Sequence, residues 1–177
     1  MKNTVKIAFC ALMSALGTAI MWLSYFPYFT YAVPAIAGLV TLVVFIEIGD
    51  KWAWGTYIVT GILALIFAEP EAKLMFIFFL GYYPILKSYI EKIKNRVVQY
   101  ILKFSVFNAS VGVAYGILAK VFGIYMVDIE TSTKFFLIGL LLLANFTFYL
   151  YDIVLVRVAN IYLYRLHRKI KKMLKFK

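Results

Sequence analysis

The chain has 177 residues, 64% of them hydrophobic, 19% aromatic and only 15% charged, with a formal net charge of +11 and a mean hydropathy of +0.89. So few polar residues do not cover the surface of a soluble domain this size, which excludes a soluble fold. The cations gather in a few segments, so the charge reads as a membrane-topology signal and not as a nucleic-acid footprint.

The first apolar stretch, Val5 to Leu23, carries no charge after Lys6 and is long enough to cross a bilayer, which takes about 20 residues. Its apolar run is longer than a signal-peptide core and no small-x-small cleavage site follows promptly, so it reads as a retained helix. Ala8, Ala11, Ala15 and Ala19 recur every three or four residues, with Ser14, Gly17 and Thr18 beside them. Small residues on one face let a second helix approach closely, which is how helices associate in lipid. The stretch therefore reads as a docking element, toward helices of its own chain or toward a partner. Cys10, the single cysteine, is a small packing residue within it.

Ser24 to Tyr31 is uncharged and rich in tyrosine and phenylalanine, with Pro27 breaking the helix. The aromatics fit an interfacial belt or a lid over a ligand site. The second span is Ala32 to Ile48, opened by Pro34, and the third is Trp52 to Ala68, with Gly55 and Gly61 inside it. Glu69 and Glu71 beside Lys73 read as a solvated turn around Pro70. The fourth span begins near Leu74 and is interrupted by Gly81 and Pro84, where a kink is expected. A basic stretch, Lys87 to Arg96, follows. The fifth span is Val97 to Ala119, whose run Ala109, Ser110, Gly112, Ala114 and Gly116 predicts a second tight helix contact. After a polar loop, Asp128 to Lys134, the sixth span is Phe135 to Val156. The basic tail, 157–177, places Leu163, Leu166, Ile170 and Met173 on one stripe of an amphipathic helix suited to anionic lipid.

With the N-terminus in the cytoplasm, six spans put 16 of the 19 Lys and Arg residues inside, leaving Lys73, Lys120 and Lys134 outside. Five spans would place the basic tail outside. The expected architecture is a single all-α domain over 1–177: a polytopic integral membrane protein with six transmembrane helices and both termini cytoplasmic.

Residues able to carry chemistry are few. Lys103 lies about 9 Å into its span, with Asp152 and Glu47 at similar depth on the same side. They read either as interfacial charges at helix ends or as a buried Lys103–Asp152 pair or docking patch. Asn108 and Asn145 fall near the middle of the fifth and sixth spans, where each needs hydrogen-bond partners, across helices or on a ligand. His167 is the only histidine and sits in the tail. No nucleophile–base pair, zinc spacing, phosphate loop or paired carboxylate site is present, so an enzyme is not expected and neither is a cofactor or metal. Without an ATP-binding sequence, a pump role needs partner ATPases.

The alanine series Ala11, Ala15 and Ala19, Pro34 opening the second helix, and GDKWAWG from Gly49 to Gly55 carry a resemblance over the first half of the chain. The chain resembles the substrate-binding S component of energy-coupling-factor vitamin transporters, and its second half is similar in topology. The resemblance implies a bacterial, multi-pass inner-membrane protein. It implies that Ala11, Ala15 and Ala19 dock on a membrane coupling subunit served by two cytoplasmic ATPases. A vitamin-like small molecule would bind from outside among Trp22, Tyr25, Tyr28, Asn108 and Asn145, with rings stacking on a flat heterocycle and amides reading its edge. The alternative is a six-span scaffold resembling rod-shape-determining membrane proteins, which needs no pocket and uses the same alanine face and basic edge for assembly.

Overall fold

A computed structural model describes residues 3–26, 28–122 and 131–167, with the main chain alone at 115, 118–122 and 131–137. Every regular element among the described residues is helical: α1 Asn3–Trp22, a 3-10 turn Leu23–Tyr25, α2 Ala32–Glu47, α3 Asp50–Phe67, α4 Pro70–Met75, a π segment Phe76–Leu80, α5 Tyr83–Ile90, α6 Arg96–Phe122 and α7 Thr131–Arg165. Three stretches, Asn3–Tyr25, Arg96–Ala114 and Ile138–Arg165, are long and apolar enough to cross a membrane, and α2 is a shorter apolar helix. The chain is thus an all-helical, membrane-embedded protein. Pro27, residues 128–130 of the expected polar loop, and Ile170 and Met173 of the tail stripe lie outside the described residues, while the rest of that loop, from Thr131, is the start of α7.

α2 holds the centre of the bundle. It packs on α1, α3, α4, the π segment, α5 and α7, and half of its residues are buried, including Ala37, Gly38 and Thr41. Apolar and small residues around the helix, rather than on one stripe, suit a helix surrounded by others. α1 lies against α2 and α3. There Ser14 and Gly17 face inward, and a Cβ at Gly17 would meet Thr60 Cγ2 at 3.0 Å. Small residues thus bring α1 and α3 close, as packing in lipid requires.

The expected kink is a full interruption. α4 passes through one π turn, in which the Gly81 N–H donates to the Phe76 carbonyl at 2.8 Å, and α5 restarts at Tyr83 with Pro84 in its first turn. Backbone groups freed at membrane depth must find partners. The Thr41 hydroxyl lies 2.8 Å from the Gly81 carbonyl and 2.7 Å from that of Gly38, and the Tyr57 hydroxyl donates to the Ile77 carbonyl at 2.6 Å. Gly38 allows the approach: a Cβ there would lie 2.4 Å from the Leu80 carbonyl oxygen.

α6 and α7 run antiparallel, since Lys103 pairs with Asp152 and Asn108 with Asn145. An aromatic cluster ties this hairpin to the broken helix. Phe107 and Phe148 stack at 4.7 Å between ring centres, and Phe79 meets both edge-on at 5.1 and 5.3 Å. Two features differ from expectation. The expected sixth span and the start of the amphipathic tail are one continuous helix, α7, which runs to Arg165. Among the described residues the glycines of the small-residue run of α6 make no tight contact: Gly112 and Gly116 have no described neighbour within 4 Å of an added Cβ. Only Ser110 of that run is buried, and it bonds the Tyr82 hydroxyl at 2.8 Å.

Candidate functional site

Where α5, α6 and α7 meet, four ionisable side chains form one network. Lys103 Nζ donates to Asp152 Oδ2 at 2.9 Å and to Glu91 Oε1 at 2.9 Å. Lys87 Nζ pairs with Asp152 Oδ1, reaches Glu91 Oε1 at 3.0 Å and donates to the Asp152 main-chain carbonyl at 3.1 Å. The Tyr83 hydroxyl donates to Asp152 Oδ1 at 2.6 Å. Lys87, Lys103 and Asp152 are 6%, 5% and 7% exposed, so the charges are taken out of solvent and must compensate one another. Two cations meet two carboxylates, and every oxygen of Asp152 is engaged. The buried Lys103–Asp152 pair thus exists, enlarged by Lys87, Glu91 and Tyr83. In sequence, Lys87 and Glu91 read only as part of a basic stretch. Their spacing of four on one helix face is the signal that connects them.

Glu47 does not join this network. It accepts hydrogen bonds from the Tyr162 hydroxyl at 2.7 Å and lies 2.9 Å from His167 Nδ1. Its side chain is 2% exposed, so α2 and the end of α7 are latched together at the same basic end of the bundle.

The candidate ligand residues fall into two groups. Asn108 and Asn145 bond each other reciprocally, Asn108 Nδ2 to Asn145 Oδ1 at 3.0 Å and Asn145 Nδ2 to Asn108 Oδ1 at 3.2 Å. Each amide also donates to the carbonyl four residues before it, those of Phe104 and Leu141, at 2.8 Å. The cross-helix reading of these amides is the arrangement present. Trp22, Tyr25 and Tyr28 lie at the opposite end, 67%, 59% and 99% exposed. Tyr28 holds a left-handed backbone conformation, with φ of 71°, uncommon for a bulky side chain. None of the clefts described here is lined by both groups.

The loop carrying these aromatics is anchored. The Thr30 hydroxyl donates to Glu69 Oε2 at 2.8 Å, Tyr31 donates to Glu71 Oε2 at 3.0 Å, and the Glu69 N–H donates to Ser24 Oγ at 3.1 Å. Glu69 and Glu71 are therefore not merely solvated surface, but fasten the aromatic loop to the α3–α4 turn. The hydrogen bond to the Glu71 carboxylate pushes the Tyr31 phenol above its usual range, so the bond persists through that range and is lost only as the pH rises far enough to ionise the phenol.

Ala11, Ala15 and Ala19 all lie on the outer side of α1 and are exposed, as is Ala8. The in-chain contact is made by Ser14 and Gly17 instead. The helix has two small-residue faces, one used within the chain and one open.

Three clefts surround the α5–α6–α7 junction. One of about 240 Å³ lies between α2, α5 and α7 and includes Lys87, Glu91 and Leu155. One of about 600 Å³ includes Arg96, Lys103, Asp152 and Arg157. A third, also about 600 Å³, runs along α6 past Val97, Tyr100, Ile101 and Phe104 to Asn108. No family model, curated protein or solved structure matches this chain.

Proposed function

We propose that the chain is the substrate-binding membrane subunit of an energy-coupling-factor type uptake transporter for a vitamin-like small molecule. One observation carries this reading: the alanine face of α1 is turned outward while Ser14 and Gly17 of the same helix serve the chain's own packing. A stripe of small residues open to lipid is a surface on which a second membrane helix can approach closely. In this reading Ala11, Ala15 and Ala19 meet a membrane coupling subunit, and two cytoplasmic ATPases on that subunit supply the energy. Six segments cross a bacterial inner membrane with both ends in the cytoplasm, the fourth being the interrupted α4–α5 unit. The protein works by binding and docking, without catalysis.

The aromatic loop, with Trp22, Tyr25 and Tyr28, is the first ligand contact from outside. A ligand that reaches Asn108 and Asn145 exchanges their mutual bonds for its own. The reciprocal bonding of those amides favours a second reading, a non-transporting scaffold, in which they only hold α6 to α7. Gentle affinity purification from native membranes, with mass spectrometry of proteins and small molecules, separates the two. Recovery of a coupling subunit, two ATPases and a bound metabolite supports the transporter. Recovery of cell-wall or cytoskeletal proteins without them replaces it with the scaffold.

A further inference from the structure

We infer that the cleft between the start of α6 and the C-terminal half of α7 is a binding site for one anionic phospholipid, its phosphate held by Arg96 and Arg157 and an acyl chain lying along α6. Five charged residues line the cleft: Glu91, Arg96, Lys103, Asp152 and Arg157. Both carboxylates are already matched, Asp152 and Glu91 each by Lys87 and Lys103. Neither arginine pairs with a carboxylate among the described residues, so two guanidinium groups set the charge that the cleft offers to a ligand. Guanidinium suits phosphate because its planar fork donates two parallel hydrogen bonds.

The level of the two arginines follows from the ion pair. Lys103 and Asp152 are in contact, and the helices are antiparallel. Arg96 precedes Lys103 by seven residues and Arg157 follows Asp152 by five, so both lie on the same side of the pair, about 10 and 8 Å along the helix axes. Two cations at one depth, one at the first residue of α6 and one just past Val156, about two turns before the end of α7, match the level of a headgroup where the sixth span is expected to leave the apolar layer. The apolar half of the ligand has its place as well. Tyr100 lines this cleft and also the neighbouring groove along α6. Within that groove Val97, Tyr100 and Ile101 are 66%, 46% and 59% exposed. A free phosphate would use the arginines and leave the groove bare, whereas a phospholipid fills both. The site lies on the helix hairpin and the inference uses no residue beyond 167. It is independent of the transport reading.

The full-length chain, purified in detergent and stripped of lipid, is titrated with dioleoylphosphatidylglycerol or dioleoylphosphatidylcholine and followed by native mass spectrometry. The expected result is one tight phosphatidylglycerol adduct, which millimolar inorganic phosphate does not displace. Arg96→Gln and Arg157→Gln each weaken it about 5-fold, and together about 30-fold, while Lys171→Gln/Lys172→Gln in the tail leaves it intact. Equal binding of the two lipids overturns the inference, as does an unchanged affinity in the double arginine variant, a loss of the adduct in the tail variant, or displacement by phosphate. A second measurement needs no variant: photoactivatable phosphatidylglycerol should label the peptides spanning 96–108 and 153–157, and labelling confined to other segments rejects the site.

Discussion

At the scale of single residues, the bundle is held by polar groups that have few alternatives in lipid. Asp152 accepts from two lysines and a tyrosine. Replacing it with Leu leaves two buried cations facing one half-exposed carboxylate. A loss of about 3 kcal/mol is expected, measured by reversible unfolding in mixed micelles; an unchanged midpoint would mean that the network is solvated. The asparagines are a milder case, because cross-helix hydrogen bonds in membranes contribute about 1 kcal/mol. Asn108→Leu and Asn145→Leu should each lower stability by about that amount, and the double variant by scarcely more, because both singles remove the same bonds. Additive losses in the same assay would show that the amides act separately. The pairing of Lys103 with Asp152 was visible as a possibility from equal depth. Glu47 at that depth was not a partner, because distance around the bundle, which depth does not encode, sends it to Tyr162 and His167.

At the scale of elements, α2 and the broken helix are one unit. Gly38→Ala places a methyl 2.4 Å from the Leu80 carbonyl oxygen, so α2 must shift off the π segment. A destabilisation of about 2 kcal/mol is expected, against none for Gly112→Ala, where the added methyl meets open space. Thermal unfolding of the two variants side by side checks the contrast, and equal midpoints would contradict it. Helix positions and the break at Gly81–Pro84 were legible from apolar runs and from proline chemistry. Which glycines make contacts was not. Gly112 and Gly116 look like packing positions by spacing, yet Gly38, in an unremarked part of α2, makes the closest approach. Small residues permit a contact without choosing it, and the choice depends on which helix the fold places opposite. That the sixth span and the tail helix join without a break was not legible, because a basic run marks where a helix leaves the apolar layer, not where its backbone bonds stop.

At the scale of the whole molecule, the chain arranges a well-packed interior around α2 and leaves the alanine face of α1 without an internal partner among the described residues. The four alanines were legible as one face from their spacing, but their outward direction was not, since Ser14 and Gly17 are small as well. The measurement that tests the account most directly is recovery of membrane partners by the tagged wild-type protein, by Ala15→Trp and by Gly112→Trp, each expressed in native membranes and quantified by mass spectrometry. The account predicts that all three insert and migrate as folded protein, that the wild type and Gly112→Trp recover the same membrane partner, and that Ala15→Trp loses at least about nine-tenths of it, since an indole fills the space a partner helix needs. Full recovery by Ala15→Trp would contradict the docking role of α1.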